Sequence, residues 1–401
     1  MQPQLASLLA QSRDLFKEST GHSARFFEPI VIKEGHRTRV VRCRLESSTL
    51  GMNSIMIKKI KSEAARGFSD WASLAFLSSL PEAEAIAPRF HGGDVADRIY
   101  LMEDLGTGST LHSFLSSGDP LAARVALQNL AVQMARLHTT TKGRLDQFEA
   151  LRGSLPENSG LHRFQEARAW LDARQKRVDW FEALHCEMPT GFEEALPLIA
   201  DAYCHPGDFL TFTQGDPAPS NNHFQGDKVR LLDFEYGGFR HALYDITAWQ
   251  MLCPLPADCV EKMRCTFQQE IANAFPAARD NERFNQEWTY LCAYRALAIL
   301  TWIPPDIVLQ NRPWAENWTM REAVLVTLSR LKLMTDPFPQ LAAITQAAET
   351  LTRAMARSWP EFIHAEECLP TWPALFHPAY PLPAASPSST CFPGVSFQNE
   401  L

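Results

Sequence analysis

The chain has 401 residues, 45% of them apolar and 21% charged, enough for two lobes with substantial cores. That balance excludes a wholly disordered or collagen-like chain. Lys and Arg total 38 against 46 for Asp and Glu, a net charge of −8, so the basic footprint of a nucleic-acid binder is missing and small-molecule chemistry is expected.

In chain order, residues 1–24 open with Leu5, Leu8, Leu9 and Leu15 at helical spacing. No basic segment precedes them, so the expectation is an amphipathic N-terminal helix rather than a signal peptide. Residues 25–106 read as a sheet-rich lobe. FFEPIVI, TRVVRCRL and SIMIKKI are runs of strand composition, parted by EGHR and ESSTLGMN, each with a glycine suited to a hairpin. A helix is expected over 62–80 on Phe68, Trp71, Leu74, Phe76 and Leu77. A short connection then leads to a strand, RIYLM (98–102), and a hinge near 103–108.

Residues 107–377 read as a larger, mainly helical lobe, interrupted over 210–239 by two short apolar runs about a polar turn. The apolar run LCAYRALAILTWIPP (291–305) is short, carries Arg295 and ends in a proline pair, which predicts a buried helix and no membrane span. Nine scattered cysteines, with no CxxC pair, read as free thiols of a cytoplasmic protein. The Pro- and Ser-rich stretch 378–401 reads as a flexible tail.

The chemistry concentrates in Gln214-Gly215-Asp216-Pro217-Ala218-Pro219-Ser220-Asn221 and in Leu231-Leu232-Asp233-Phe234-Glu235. Phosphoryl transfer needs a carboxylate near the attacking hydroxyl, oxygen ligands for Mg²⁺ and a cation on the phosphates. Asp216 and Asn221 on one loop, facing Asp233 at the end of an apolar run, supply hard oxygen donors of that kind. The plain alternative is that Asp216 and Asn221 shape a turn and Asp233 caps a strand.

QGDPAPSN followed by LLDFEYGGFRHALYD resembles the HGDxxxxN…DxE signature of the aminoglycoside phosphotransferase and choline kinase-like family, and the likeness extends over most of 25–360. MIKK (56–59), YLMEDLG (100–106) and ARLHTT (135–140) stand in the family's order. The resemblance implies an α+β, bilobal protein kinase-like fold with a small antiparallel-sheet N-lobe and a larger mainly helical C-lobe. It implies an ATP- and Mg²⁺-dependent transfer to a hydroxyl of a small molecule of aminoglycoside, amino-alcohol or sugar type; the charge balance and the short apolar run lead to the expectation of no nucleic-acid and no membrane partner.

Residue by residue, Asp216 would be the catalytic base and Asn221 and Asp233 the Mg²⁺ ligands. Lys58 would hold the α- and β-phosphates. Gly35 would serve the phosphate turn, and Glu103, Asp104 and Leu105 would offer backbone groups to adenine. Gln214, Glu235 and Asp245 would support the site. Lys58 and Lys59 are neighbours on a strand and must point to opposite faces; Lys58 reaches the cleft if Met56 does, and Ile55 and Ile57 then pack behind.

Three departures are visible. Gln214 replaces the family's histidine, the turn EGHR holds only Gly35, and the helix glutamate expected to pair with Lys58 is missing, with Asp70 and Glu63 both open as substitutes. They motivate a competing reading as a degenerate kinase-like fold that binds nucleotide or a protein partner without catalysis. A second His-Pro-Gly-Asp stretch, His205 to Asp208, has Thr213 where the metal ligand would stand and is read as an ordinary loop.

Overall fold

The structure is a computed structural model that describes residues 3–46, 51–156, 163–253, 255–315 and 318–360. The tail expected at 378–401 therefore lies outside the described residues.

The N-lobe is a five-stranded sheet in the order β1-β2-β3-β5-β4, with every neighbouring pair antiparallel. β1 (Arg25–Glu34), β2 (Thr38–Glu46) and β3 (Ser54–Ile60) fall on the runs expected from β-branched composition. Strand alternation sorts their side chains by face. Val41, Cys43, Ile55, Ile57, Ile99 and Leu101 pack with Leu8, Leu9, Leu15 and Phe16 of α1 (Pro3–Thr20). Helix α1 thus closes the outer face of the sheet. Burying a residue such as Ile57, 0% exposed, contributes roughly 1.5–3 kcal/mol.

The opposite face carries Val40, Arg42, Met56, Lys58, Tyr100 and Met102, aligned across β2, β3 and β5 by the pairings Val40↔Lys58↔Tyr100 and Arg42↔Met56↔Met102. Helix α2 (Ala64–Ser78) covers part of this face. Strand β4 (Phe90–Asp94, FHGGD) is a correction, because the sequence shows only a connection there. Its glycines hide it from composition, yet Gly93 is required: a Cβ there would come 2.1 Å from the Trp71 ring. Strand β5 (Ile99–Glu103) then leads to the hinge.

The C-lobe is helical, with α3 (Leu111–Leu115) and α4 (Pro120–Thr141) first; Asp119 caps α4 by accepting from the N–H groups of Leu121 and Ala122. The helix Asn281–Trp302, capped by Asp280, is buried along most of its length, as its apolar run predicts. Two small antiparallel two-stranded sheets interrupt the helices: β6 (Leu210–Thr213) with β9 (Gly238–His241), and, as a hairpin between them in the chain, β7 (Asn222–Gln225) with β8 (Lys228–Leu231). The β6–β7 loop and the segment after β8 carry the motif residues to the cleft between the lobes. No described helix is long and apolar enough to cross a membrane. The bilobal α+β expectation is borne out.

Candidate active site

The loop after β6 is fixed by its backbone. Gly215 has φ +89°, and a Cβ there would lie 2.3 Å from the Tyr236 carbonyl oxygen, so only glycine fits. Asp245, on the helix Leu243–Met251 and 1% exposed, accepts the N–H of Gln214 at 2.7 Å and of Gly215 at 3.0 Å. Burial opposes its charge, but His138, Arg295 and these amides outweigh burial and hold its carboxyl below the usual range.

Gln214 joins the loop to the facing segment. Its side-chain amide donates to the Asn221 carbonyl at 3.0 Å and also to that of Leu232. A neutral imidazole has one N–H and could serve only one of these acceptors. The departure at Gln214 therefore leaves a satisfied support.

Asn221 Nδ2 donates to the Asp216 backbone oxygen at 3.0 Å and to its carboxylate at 3.3 Å, so the two motif residues stand side by side. Burial and the negative charge of Asp233 push the Asp216 carboxyl up to about 7, against the pull of Arg295. Asp233 sits at φ +56°, a left-handed conformation that costs a non-glycine residue roughly 1–2 kcal/mol. Backbone strain of this kind gathers at functional positions. Burial disfavours the Asp233 charge as well, but Lys58, Lys33 and Arg37 outweigh it and keep the carboxyl below its ordinary value.

Across the cleft, Lys58 Nζ lies 2.7 Å from Asp70 and 3.6 Å from Asp233. Asp70 also accepts from the Tyr100 hydroxyl and, at 2.7 Å, from the Phe234 N–H. One carboxylate of α2 thus ties β3, β5 and the segment after β8 together. Glu63 instead meets Arg66 at 3.0 Å and His36 at 3.4 Å, so Asp70 is the partner of Lys58. Burial resists the ammonium charge, yet Asp70, Tyr100 and Asp233 raise its pKa well above the ordinary lysine value. Lys59 points the other way and donates to the Asp97 carbonyl.

The remaining sequence-predicted positions are less convergent. The N–H of Gly35 closes the β1–β2 turn on the Thr38 carbonyl at 2.9 Å. In the hinge, the Glu103 N–H bonds the Arg89 carbonyl at 2.8 Å, and its carboxylate meets Arg230 at 3.3 Å. Asp104 is held by Arg42 at 2.8 Å and by the Gly106 N–H at 3.0 Å. The Leu105 carbonyl accepts from Gln225. Glu235 pairs with Arg37 of the β1–β2 turn at 3.0 and 3.1 Å. The decoy stretch is structural: His205 bonds Asp201 at 2.8 Å and Asp208 pairs with Arg283 at 3.1 Å.

Sequence reasoning missed Arg37, since a charged turn residue is ordinarily solvated. It also missed a role for Arg295, 2% exposed, 3.8 Å from Asp245 and 3.5 Å over the Tyr244 ring. The signal for Arg295 was present, as a lone charge inside an apolar helical run. Ile30, Val40, Met56 and Met102 share the cleft face of the sheet, an apolar ceiling that strand alternation from Lys58 would have identified.

Asn221 and Asp233 carry the side-chain oxygens that could hold a hard cation. Asp233 Oδ1 is buried without a hydrogen bond, and Asn221 Oδ1 accepts only from Ser220, at 3.3 Å, among the described residues. No group of three or more His, Cys, Asp and Glu able to hold a metal exists among the described residues. Mg²⁺ does not need one, because it takes one or two protein oxygens and fills its shell with water and phosphate.

Fold and site together define a two-lobed α+β protein with a charged cleft. No protein-family model matches the chain, and no curated protein matches it. Among solved structures, it is similar to a choline kinase from Cryptosporidium parvum Iowa II, at 12% identity and TM-score 0.45, covering 93% of this chain and 99% of that one. A choline/ethanolamine kinase family protein from Mesorhizobium loti matches at 14% identity and TM-score 0.43, over 85% of this chain and 99% of the other. A macrolide 2′-phosphotransferase from Brachybacterium faecium matches at 15% identity and TM-score 0.41, over 76% and 99%.

Proposed function

We propose that the protein is an ATP- and Mg²⁺-dependent phosphotransferase acting on a hydroxyl of a small molecule. The carrying observation is convergence: Lys58, Asp233 and the Asp216–Asn221 loop meet at one cleft, with Lys58 paired to Asp70 and 3.6 Å from Asp233. A set that only shaped turns would not need a lysine buried from one lobe and aimed at Asp233 of the other.

In this reading Asp216 accepts a hydrogen bond from the acceptor hydroxyl, aims its oxygen in line and takes its proton as transfer proceeds. Its carboxyl, raised to about 7, is matched to receiving a proton near neutral pH. Lys58 binds the α- and β-phosphates, fixed in direction by Asp70. Asn221 and Asp233 would hold Mg²⁺, which supplies charge neutralisation on the phosphates when bound. The apolar ceiling of Ile30, Val40, Met56 and Met102 would cover the base, and the backbone of 103–105 would meet its edge. Amino-alcohols, aminoglycosides and sugars are the acceptor classes of this reading.

The non-catalytic alternative loses two of its three motives, because Gln214 and Asp70 both complete hydrogen-bonded roles. Titration calorimetry with ATP, with and without Mg²⁺, tests the assembly. Mg²⁺-dependent binding is expected, to be followed by a screen of hydroxyl acceptors for ADP release. Absence of nucleotide binding under both conditions would remove the proposal.

A further inference from the structure

The β1–β2 turn has an unusual construction for a segment that faces phosphates. A turn that cradles phosphate does so with free backbone amides, and extra glycines let the chain come close. Here the single glycine donates its N–H to Thr38, and the turn is tied down behind. The Arg37 carbonyl accepts the N–H groups of Lys61 at 2.8 Å and Ser62 at 3.2 Å, while Lys61 Nζ bonds the Gly35 carbonyl at 2.7 Å. A turn fastened this way reaches into the cleft with a side chain rather than with its backbone.

That side chain is Arg37. Its Nη1 meets both carboxylate oxygens of Glu235, at 3.0 and 3.1 Å, two residues beyond Asp233. Its Nε and Nη2 make no hydrogen bond among the described residues. An arginine fork with unused donors is suited to phosphate oxygens. Lys58 stands 3.6 Å from Asp233, so cations of both β3 and the turn bear on the place where the phosphates would lie.

The bland account is a strut between lobes. Both side chains keep some exposure, 24% for Arg37 and 16% for Glu235, and a partly open ion pair contributes only about 0–1 kcal/mol. As a strut it is weak, whereas α2 already joins the lobes through Asp70 and Phe234.

We infer that Arg37 is the phosphate-binding group of this turn, held on Glu235 until the polyphosphate of a nucleoside di- or triphosphate draws it off. The inference rests on the phosphotransferase reading and assigns a residue that reading does not contain. Glu235 then acts as a resident competitor for the cation, and binding of the nucleotide exchanges one carboxylate for phosphate oxygens.

Calorimetry of ATP, ADP and adenosine, in Mg²⁺ and in chelator, on wild type, Arg37→Ala, Arg37→Lys and Glu235→Gln separates the possibilities. Arg37→Ala should weaken ATP and ADP about tenfold and leave adenosine unchanged, with Arg37→Lys between it and wild type. In chelator, Glu235→Gln should tighten ATP severalfold, because the competitor is gone. Equal weakening of adenosine by Arg37→Ala would make Arg37 structural and overturn the inference. Unaltered ATP affinity in Arg37→Ala, with wild type binding normally, would overturn the inference alone. ATP affinity in Glu235→Gln that fails to rise in chelator would overturn the holding role. Wild type that binds neither ATP nor ADP would bring down the phosphotransferase reading itself.

Discussion

Asp245, 1% exposed, accepts two backbone N–H bonds from the loop that presents Asp216, whereas Arg37 on the facing lobe hangs from a turn and meets its carboxylate with 24% of its side chain still open. The two walls of the cleft therefore hold their charges differently. On the C-lobe wall, buried hydrogen bonds determine geometry before any ligand arrives, because an unsatisfied carboxylate there would be costly. On the N-lobe turn, an accessible ion pair sets a default position that a ligand can replace. Lys58 belongs with the C-lobe wall despite its origin in the sheet, since Asp70 and burial fix it as firmly as Asp245 fixes the loop. The position of a residue in one lobe or the other matters less than the burial of its partner.

The sharpest way to break this comparison is at Asp216. Asp216→Asn should lower turnover by about a thousandfold while leaving nucleotide affinity unchanged, measured by ADP release and calorimetry. Turnover at the wild-type rate would remove Asp216 from its role and reduce the C-lobe wall to scaffolding.

Next comes Asp245→Ala, which strips the loop of both acceptors and leaves Arg295 without its nearest carboxylate. A loss of about 3 kcal/mol in chemical denaturation is expected, with activity falling in parallel. A variant as stable as wild type would show that the amides of Gln214 and Gly215 find water instead, and the contrast between the walls would collapse.

A smaller effect concerns pH. The folded-state pKa of Asp216, raised to about 7, lies above that of the unfolded chain, about 3.9. Its contribution to stability is thus intact below pH ~4 and is lost as pH rises to about 7. Asp216→Asn should raise the melting temperature by roughly 2 °C at pH 8, with the gain shrinking toward pH 5. A gain independent of pH would point to packing rather than to charge.

The smallest effect belongs to the turn. Arg37→Ala should change stability by less than about 1 kcal/mol, even though it weakens polyphosphate binding. A large loss in thermal denaturation would place Arg37 with the buried wiring and erase the difference between the walls.

Local pattern made much of the protein legible in advance. The strand run of β3 alternates cleanly enough to predict that Lys58 and Lys59 diverge and that Ile55 and Ile57 pack behind. Asp216, Gly215 and Asn221 sit within one loop, so their spacing alone brings them together. Strand β4 was invisible because a glycine-rich FHGGD has no strand composition and exists only where Trp71 of α2 demands a missing Cβ.

Short-range periodicity and loop spacing depend on covalent geometry, and these the amino-acid sequence determined by itself: the two lobes, the buried helix around Arg295 and the Asp216–Asn221 loop. The choice of Asp70 over Glu63, the pairing of Glu235 with a turn 198 residues away, and the placing of Arg295 beside Asp245 were decided only by the tertiary structure. Each depends on which carboxylate the tertiary packing brings within a few ångströms of a cation, and no period along the chain encodes such a distance.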